Sequence, residues 1–336
     1  MNDFEIITLM HTYCRPANSP AEARFIDRFL KPLGVTKDKF GNHFIKIGEN
    51  PIVLWSSHTD TVHTRDGIQA LDYDGKYLKL PDDSQSSCLG ADCTAGIWVM
   101  TEMIKAKVPG LYVFHAAEEI GCIGSRAIAE QAPEFLAGIK AAVAFDRWGL
   151  DSVITHQGTR TASDAFGESM MAQLPARFKL DPTGLVTDTK QYRTIVPECT
   201  NISVGYFDHH KTTERLDVEH LIELRDHMVK FDVSKLVIER DPNIIPLKTE
   251  APVFAPAPRR RPAFSSLAAF RSLLATDIAD LVWTYPRLVA QFLEEEMGVS
   301  FDELEHYIQH GEMPGLLFDD EDEDEDVGEQ PVRRRA

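Results

Sequence analysis

The sequence predicts a layered α/β domain over residues 1–247, because short apolar runs alternate there with segments of helical spacing. Four runs are rich in Val, Ile, Leu or aromatic residues and are short enough to be buried strands: Ile52–Trp55, Leu111–Phe114, Ala141–Phe145 and Ile202–Phe207. Each run is followed within a few residues by a His, Asp or Glu. Ligands of open α/β sheets bind beyond the carboxyl ends of the strands, so we expect these side chains to share one site.

Two signals before the first of these runs define the N-terminal elements. Ser19, Pro20 and Glu22 occupy the positions that are typical of a helix N-terminus, so we expect a helix to begin there. The turn signal at Phe40–Asn42 precedes an apolar segment that predicts a strand over His43–Ile47.

The composition changes after the α/β domain. Residues 248–263 are rich in Pro and Arg, which predicts an extended, solvated linker. Residues 264–318 have helical apolar spacing and predict a small C-terminal helical appendage, suited to binding a protein partner, to self-association or to covering the domain. Residues 319–336 include eight consecutive acidic residues, and we expect this tail to be disordered because like charges repel.

The composition also excludes several classes of function. A formal net charge of −18 argues against non-specific nucleic-acid binding, which relies on a basic surface. No run approaches the roughly 18 apolar residues of a membrane span, and residues 1–5 lack the pattern of a secretory signal. Five cysteines without paired spacing are typical of a reduced protein. We therefore expect a cytoplasmic protein without nucleic-acid or membrane partners.

The side chains at the predicted strand ends are of the types that bind zinc. A hydrolase site with two metal ions needs about three protein ligands for each ion, one of them a shared carboxylate, which makes five. Five candidates occur in chain order: His58, Asp92, Glu119, Asp146 and His210. Glu118 remains as a general base for the attacking water. The sequence therefore predicts two Zn²⁺ ions, although Co²⁺ or Mn²⁺ would suit the same ligands.

Five motifs resemble the co-catalytic zinc aminopeptidase and carboxypeptidase superfamily, which comprises the M28, M20 and M42 peptidases. The motifs are His58-Thr59-Asp60, Gly90-Ala91-Asp92-Cys93-Thr94-Ala95-Gly96, Glu118-Glu119-Ile120-Gly121, Phe145-Asp146-Arg147 and His210-Lys211-Thr212-Thr213-Glu214. They follow the order of the superfamily, and the resemblance extends from about residue 8 to residue 240. It implies the zinc-exopeptidase fold, a three-layer α/β sandwich with a mixed, mostly parallel central sheet.

The resemblance also implies a role for each residue. Each zinc ion would have three ligands, one of them shared: His58, Asp92 and Asp146 for the first ion, and Asp92, Glu119 and His210 for the second. Asp60 would orient His58, and Glu118 would be the general base. The relatives usually have Asp or Asn after the bridging Asp, where this chain has Cys93, and a cis peptide bond at that point.

Ordinary structural roles compete with some of these assignments. Asp60 would also suit the capping of the turn after its strand. Glu118 and Glu119 would also suit a helix start, where carboxylates favour the positive end of the dipole. His209 competes with His210, because adjacent residues at a strand end point in opposite directions. The acidic residue four positions further on favours His210.

The spacing between the motifs distinguishes the branches of the superfamily. The chain has no room for the M20 lid domain between the fourth and fifth ligands, or for the M42 insertion between the first two. This favours a compact, lidless M28-type aminopeptidase that acts on a peptide or a small amide. A carboxypeptidase or an N-acyl amino acid deacylase with the same metals stays open. A non-catalytic binding protein on this scaffold is disfavoured, because every ligand and the base are present.

Overall fold

The computed structural model describes residues 1–244, and an eight-stranded sheet organises this part of the chain. The predicted linker (248–263), helical appendage (264–318) and acidic tail (319–336) lie outside the described residues. These three predictions, and the boundary of the α/β domain at residue 247, therefore stay predictions.

The helices and strands are numbered in chain order. The α-helices of residues 1–244 are α1 (Asp3–His11), α2 (Pro20–Phe25), α3 (Ala91–Lys105), α4 (Ile123–Gln131), α5 (Asp164–Met171), α6 (Asp188–Gln191) and α7 (Val218–Met228). The strands are β1 (Tyr13–Cys14), β2 (Thr36–Lys37), β3 (His43–Ile47), β4 (Val53–His58), β5 (Gly67–Ile68), β6 (Asp72–Tyr73), β7 (Tyr77–Lys79), β8 (Gly110–His115), β9 (Ala141–Arg147), β10 (Ser152–Ile154), β11 (His156–Gln157), β12 (Thr159–Arg160), β13 (Lys179–Asp181), β14 (Glu198–Ser203), β15 (Tyr206–Phe207) and β16 (Arg215–Asp217).

The central sheet has the strand order β13-β10-β14-β9-β4-β8-β3-β2. Its middle is parallel, because β4 pairs in parallel with β8 and β9, and β9 pairs in parallel with β14. The pairs β10–β14, β3–β8 and β2–β3 are antiparallel, whereas β13 runs parallel to β10. The carboxyl ends of β4, β8, β9 and β14 therefore lie along one edge. The predicted mixed, mostly parallel sheet is confirmed.

Helices pack on both faces of the sheet, which makes three layers. On one face Trp55 of β4 belongs to the same buried cluster as Trp98 of α3. On the other face Leu54 and Val113 belong to a second cluster with Ile128 of α4. Adjacent strand residues point to opposite faces, so the continuous apolar run of β4 supplies both cores. The predicted three-layer sandwich is confirmed.

The two N-terminal elements form where the sequence predicts them. The side chain of Ser19 accepts the backbone N–H of Glu22 at 3.1 Å, so α2 begins where the sequence predicts. The predicted strand His43–Ile47 is β3.

Helix α3 approaches the sheet so closely that a Cβ on Gly96 would lie 2.0 Å from the carbonyl oxygen of Phe145. This contact brings the N-terminus of α3 against the ends of β4 and β9.

The fourth predicted strand, Ile202–Phe207, is wrong in its boundaries. The central strand is β14, which ends at Ser203, and the chain then joins a separate four-stranded sheet through β15. Gly205, with φ of +104°, lies between the two strands and allows the change of direction. The apolar run continues across this turn because both strands are buried, so composition alone could not show the break.

Two features bear on the predicted cellular environment. Within residues 1–244, no helix is long and apolar enough to cross a membrane. The five cysteines are buried and form no disulfide.

Candidate metal centre

The carboxyl edge of the central sheet brings the five predicted ligands into one cluster. His58 is the last residue of β4, and Asp146 lies near the end of the adjacent strand β9. Asp92 lies at the start of α3, and Glu119 follows β8 in the loop that leads to α4. His210 lies in the turn between β15 and β16.

The carboxylate of Asp92 lies between the two histidines. Its Oδ1 is 3.0 Å from His58 Nε2, and its Oδ2 is 3.3 Å from His210 Nε2. On the first side, His58 Nε2 is also 3.3 Å from Asp146 Oδ1. On the second side, His210 Nε2 is also 3.1 Å from Glu119 Oε2. Two sets of ligand atoms therefore meet at one carboxylate.

The residues of this cluster fit divalent cations. Imidazole nitrogens and carboxylate oxygens are the ligands that zinc takes in hydrolase sites. The buried Oε1 of Glu119 has no hydrogen-bond partner within residues 1–244, although buried polar atoms are nearly always satisfied. A bound cation would satisfy such an oxygen.

The protonation pattern of the cluster reflects its excess of acidic groups. Burial disfavours the charged form of Asp92, but hydrogen bonds from His210 and His58 outweigh it and hold the pKa of Asp92 well below its ordinary value. Burial also acts against the charged form of His210, yet its bonds to Asp92 and Glu119 raise its pKa to about 11. Burial and the charge of Asp92 raise the pKa of Asp146 to about 7. The raised pKa values of Asp146 and His210 reflect the crowding of carboxylates, which bound cations would relieve.

Asp60 connects the first histidine to the glutamate pair. His58 Nδ1 lies 3.1 Å from the carbonyl oxygen of Asp60 and 3.5 Å from its Oδ1. The Asp60 carboxylate also accepts the backbone N–H groups of Glu118 and Glu119, at 3.0 and 3.2 Å. A bond to Nδ1 fixes the ring so that Nε2 faces the cluster. The contact to the carbonyl oxygen is shorter than the contact to the carboxylate that the sequence predicts.

The loop that carries Asp92 is held by Glu214. The carboxylate of Glu214 accepts the backbone N–H groups of Gly90, Ala91 and Asp92, at 2.9, 2.9 and 3.2 Å. Burial raises the pKa of Glu214 to about 8. The peptide bond between Asp92 and Cys93 is cis, as the resemblance implies. The acidic residue four positions after His210 thus positions Asp92.

Glu118 stands beside the cluster, with its carboxylate directed to a different neighbour. The Sγ–H of Cys122 donates to Glu118 Oε1 at 3.4 Å. Burial raises the pKa of Glu118 well above its ordinary value; the charge of His58 opposes this rise, whereas the charges of Asp146 and other nearby acids add to it. Such a carboxyl group holds a proton more tightly than an exposed glutamate does.

The structure corrects the argument that separates His209 from His210. Strand β15 ends at Phe207, and Asp208 and His210 have φ of +54° and +63°, so these residues form a turn in which strand alternation does not apply. Ligand atoms of Asp92, His209 and His210 all lie within 4.8 Å of one another. His210 still differs from His209, because it alone of the two pairs with both Asp92 and Glu119.

Sequence reasoning missed the residues that support Asp146 and the thiol beside it. Thr187 Oγ1 donates to Asp146 Oδ2 at 2.7 Å, and Asn201 bonds both backbone groups of Asp146. Cys93 lies with His58 and Asp146 in a group whose ligand atoms are within 4.8 Å of one another. Thr187 is 41 positions from Asp146, and no local motif marks the contact.

Comparison with known proteins identifies the fold. No protein-family model and no curated protein matches the chain in sequence. Among solved structures, the aminopeptidase PepT from Bacillus cereus is 14% identical with a TM-score of 0.51, and the match covers 67% of this chain and 96% of that chain. The TET1 peptidase of Pyrococcus horikoshii is 14% identical with a TM-score of 0.54, covering 68% and 99%. A tripeptidase from Staphylococcus aureus is 14% identical with a TM-score of 0.53, covering 68% and 96%.

The chain has the fold of these peptidases. The resemblance carried by the five motifs is therefore confirmed for the fold, the zinc-exopeptidase sandwich. At this level of identity a shared fold does not determine an activity, and function depends on the residues of the site.

Proposed function

We propose that the chain is an exo-aminopeptidase that hydrolyses peptide bonds with a dinuclear zinc site and Glu118 as general base. The observation that carries the proposal is the position of Asp92, whose two oxygens face separate sets of ligand atoms 3.0 and 3.3 Å away. A carboxylate shared in this way is what a two-metal hydrolase requires. The shared fold with three peptidases supports the same conclusion.

Five residues would hold the two ions, with Asp92 common to both. His58 and Asp146 would complete one set of ligands, and Glu119 and His210 the other. Bound zinc polarises a carbonyl group and makes water more acidic, and Co²⁺ or Mn²⁺ would do the same. Asp60 would keep His58 oriented through the contacts to its Nδ1.

Glu118 is the group that would move the proton. Its carboxylate belongs to none of the ligand groups of the cluster, although its neighbour Glu119 does. Its raised pKa lets it hold the proton taken from water until the leaving amine accepts it. Burial keeps that carboxyl group away from bulk solvent, so the proton is retained in the site.

The choice of an aminopeptidase rests on which charges near the site are already paired. A carboxypeptidase needs an Arg or Lys to bind the carboxylate beside the scissile bond. Arg147 pairs with Asp181 at 3.3 Å, and Arg160 pairs with Asp164 at 2.7 Å, so both nearby arginines are engaged. The excess of carboxylates around the cluster would instead suit a substrate with a free ammonium group.

The test combines metal analysis with two forms of one substrate. We expect about two zinc ions per chain in the purified protein. We also expect hydrolysis of leucine p-nitroanilide and none of its N-acetylated form. Faster cleavage of the acetylated substrate would favour the deacylase or carboxypeptidase instead. Two bound zinc ions without turnover of either form would favour a non-catalytic binding protein.

Self-association is a second part of the proposal. The TET1 peptidase of Pyrococcus horikoshii assembles into a tetrahedron or a large octahedral shell. We propose that this chain also forms an oligomer, through residues 264–318, which lie outside the described residues. Light scattering of the full chain and of a chain ending at Ile245 tests this, because only the full chain should exceed the mass of a monomer.

A further inference from the structure

Cys93 is a fully buried thiol inside the ligand cluster, and the proposed function gives it no role. Ligand atoms of Cys93, His58 and Asp146 all lie within 4.8 Å of one another. Cys93 alone among the five cysteines belongs to such a group within residues 1–244. The relatives that the motifs resemble usually have Asp or Asn at this position, where this chain has Cys93. The cluster therefore contains sulfur in addition to nitrogen and oxygen.

The packing of α3 against the sheet holds this thiol beside the ligands. The Sγ–H of Cys93 donates to the carbonyl oxygen of Phe145 at 3.0 Å, and Phe145 immediately precedes Asp146 in β9. Three residues further along α3, a Cβ on Gly96 would lie 2.9 Å from Cys93 Sγ and 2.0 Å from the same carbonyl oxygen. The glycine at position 96 therefore leaves the space that the thiol occupies.

The distances within the group suit a shared cation. Zinc binds imidazole nitrogen at about 2.0–2.1 Å and thiolate sulfur at about 2.3 Å, so two ligands of one tetrahedral ion lie roughly 3.3–3.7 Å apart. His58 Nε2 already lies 3.0 Å from Asp92 Oδ1 and 3.3 Å from Asp146 Oδ1. Since the group spans no more than 4.8 Å, a shift of Cys93 Sγ by roughly 1 Å would bring it into the same range.

We propose that the thiolate of Cys93 is a fourth protein ligand of the first ion, beside His58, Asp92 and Asp146. The inference rests on the proposed dinuclear site and adds the ligand that sets its preference for metals. When the ion binds, the S–H bond breaks, the electron pair stays on sulfur to bind the metal, and the proton passes to water. A bound cation removes the proton of a coordinating thiol, which a buried thiol otherwise retains.

A fourth protein ligand would give the two ions different roles. Zinc sites with four protein ligands are structural, whereas catalytic zinc keeps a position open for water. The second ion has three protein ligands, Asp92, Glu119 and His210. The side chain of His210 is 41% exposed, against 1% for His58, so the second ion lies on the side that a substrate can reach. The open position therefore belongs to the second ion, and the first ion holds the buried half of the site together.

The sulfur ligand also predicts which metal each position takes. Thiolate selects zinc over harder ions, whereas carboxylate oxygen suits Mn²⁺. The first position should therefore prefer Zn²⁺ over Mn²⁺. The second position, with carboxylates and one imidazole, should discriminate less between these two metals.

The absorption spectrum of bound cobalt tests the ligand directly. The metal-free protein is titrated with CoCl₂, and we expect a thiolate-to-cobalt charge-transfer band in the near ultraviolet, which nitrogen and oxygen ligands do not produce. The band should be absent from Cys93→Ser and present in Cys199→Ser. Cys199 is the matched control, because it is a buried thiol whose Sγ also donates to a backbone carbonyl, that of Val196 at 3.6 Å. Wild-type protein that binds Co²⁺ without this band overturns the proposal, whether or not the variants fold.

Competition between zinc and manganese gives a second measurement. In Cys93→Asp, which has the residue of the relatives, the affinity of the first position for Zn²⁺ should fall about tenfold to a hundredfold or more. That is the loss that even a residue supporting a ligand can cause. The affinity for Mn²⁺ should not fall with it, because the new carboxylate suits that ion. An unchanged ratio of the two affinities would contradict the role of Cys93.

These measurements need no substrate, so failure of this proposal is distinguishable from failure of the proposed function. A thiolate band in a protein that hydrolyses no peptide would support the ligand and refute the peptidase. Hydrolysis of leucine p-nitroanilide by cobalt-loaded protein that lacks the band would do the reverse. A protein that binds neither Co²⁺ nor Zn²⁺ would refute both.

Discussion

The two halves of the candidate metal centre are supported by different kinds of structure. His58 and Asp146 lie on adjacent parallel strands, whose register pairs Ser56 with Ala144 two positions earlier in each strand. Glu119 and His210 lie in loops, and the side chain of His210 is 41% exposed against 1% for His58. The first half is held by the ladder of the sheet. The second half depends on local turns and on side-chain contacts.

This difference predicts how each half responds to change. A ligand on a buried strand is positioned by packing before any ion binds, so its half should bind metal more tightly. A ligand on an exposed turn must be ordered on binding, which costs conformational entropy. We therefore expect the ion on the side of Glu119 and His210 to be the more easily lost. Asp92 belongs to both halves, so its loss should affect both ions.

Asp92→Asn should have the largest effect, the loss of both ions and of all activity. A neutral amide is a poor bridge between two cations, and its oxygen and nitrogen cannot both act as ligands. Metal analysis after dialysis measures the loss. Asp83→Asn, in an exposed loop residue, is the control and should keep both ions. If Asp92→Asn retains both ions at wild-type affinity, the shared ligand lies elsewhere, and the two halves of the centre do not meet at Asp92.

His210→Ala should remove one ion and most of the activity, whereas His209→Ala should be milder. The reason is that His210 contacts both Asp92 and Glu119, while His209 forms no ion pair with Glu119 within residues 1–244 and packs against Tyr206. Metal content and kcat of both variants test this. The reverse ranking would show that His209 is the ligand and that the turn adopts a different arrangement when metal is bound.

The same division explains what the sequence could predict. His58 and Asp146 follow apolar runs at strand ends, and the parallel sheet brings such ends together by its own geometry. The positions of Asp92, Glu119 and His210 could be inferred only from the motifs. Turns have no periodicity that fixes where a side chain points. Thr187 carried no signal at all. Its place at the site depends on a helix of four residues that follows it and is anchored by tertiary contacts.

The boundary of β14 shows a second limit of the sequence. The apolar residues from Ile202 to Phe207 are all suited to one strand, yet Gly205 divides them between two sheets. Burial on both sides of the turn removes the change in polarity that would have marked it. This boundary decides which sheet positions His210. His210 follows β15 of the four-stranded sheet and not a strand of the central sheet.

Glu118→Gln should leave both ions in place and lower kcat by about 10²–10⁴, the range for removal of a general base. Glu118 is outside the ligand groups of the cluster, so the two halves should stay intact. Glu119→Gln is the matched comparison, and it should lose the ion on the exposed side. Equal metal loss in the two variants, or an unchanged kcat in Glu118→Gln, would contradict the division of roles between these neighbours.

The smallest effect is expected from removing everything after Ile245, because both halves of the centre are complete by Glu214. Buried Glu198 accepts the backbone N–H groups of Glu239 and Arg240, at 2.9 and 2.8 Å, and the guanidinium of Arg240 donates to the carbonyl oxygens of Arg193 and Val196. A chain ending at Ile245 keeps these contacts and should keep its metal content, activity and Tm.

A chain ending at Val237 is the control for this truncation, because it lacks the contacts of Glu239 and Arg240. It leaves the fully buried carboxylate of Glu198 with Ser163 as its remaining partner. Each hydrogen bond to a charged group contributes about 1.5–3 kcal/mol, so the two lost bonds should lower the free energy of unfolding by about 3 kcal/mol or more. Thermal denaturation should then show a Tm lower by roughly 6–12 °C for a domain of this size. If the chain ending at Ile245 is equally destabilised or loses zinc, the segment after residue 245 completes the core, and the metal centre depends on it.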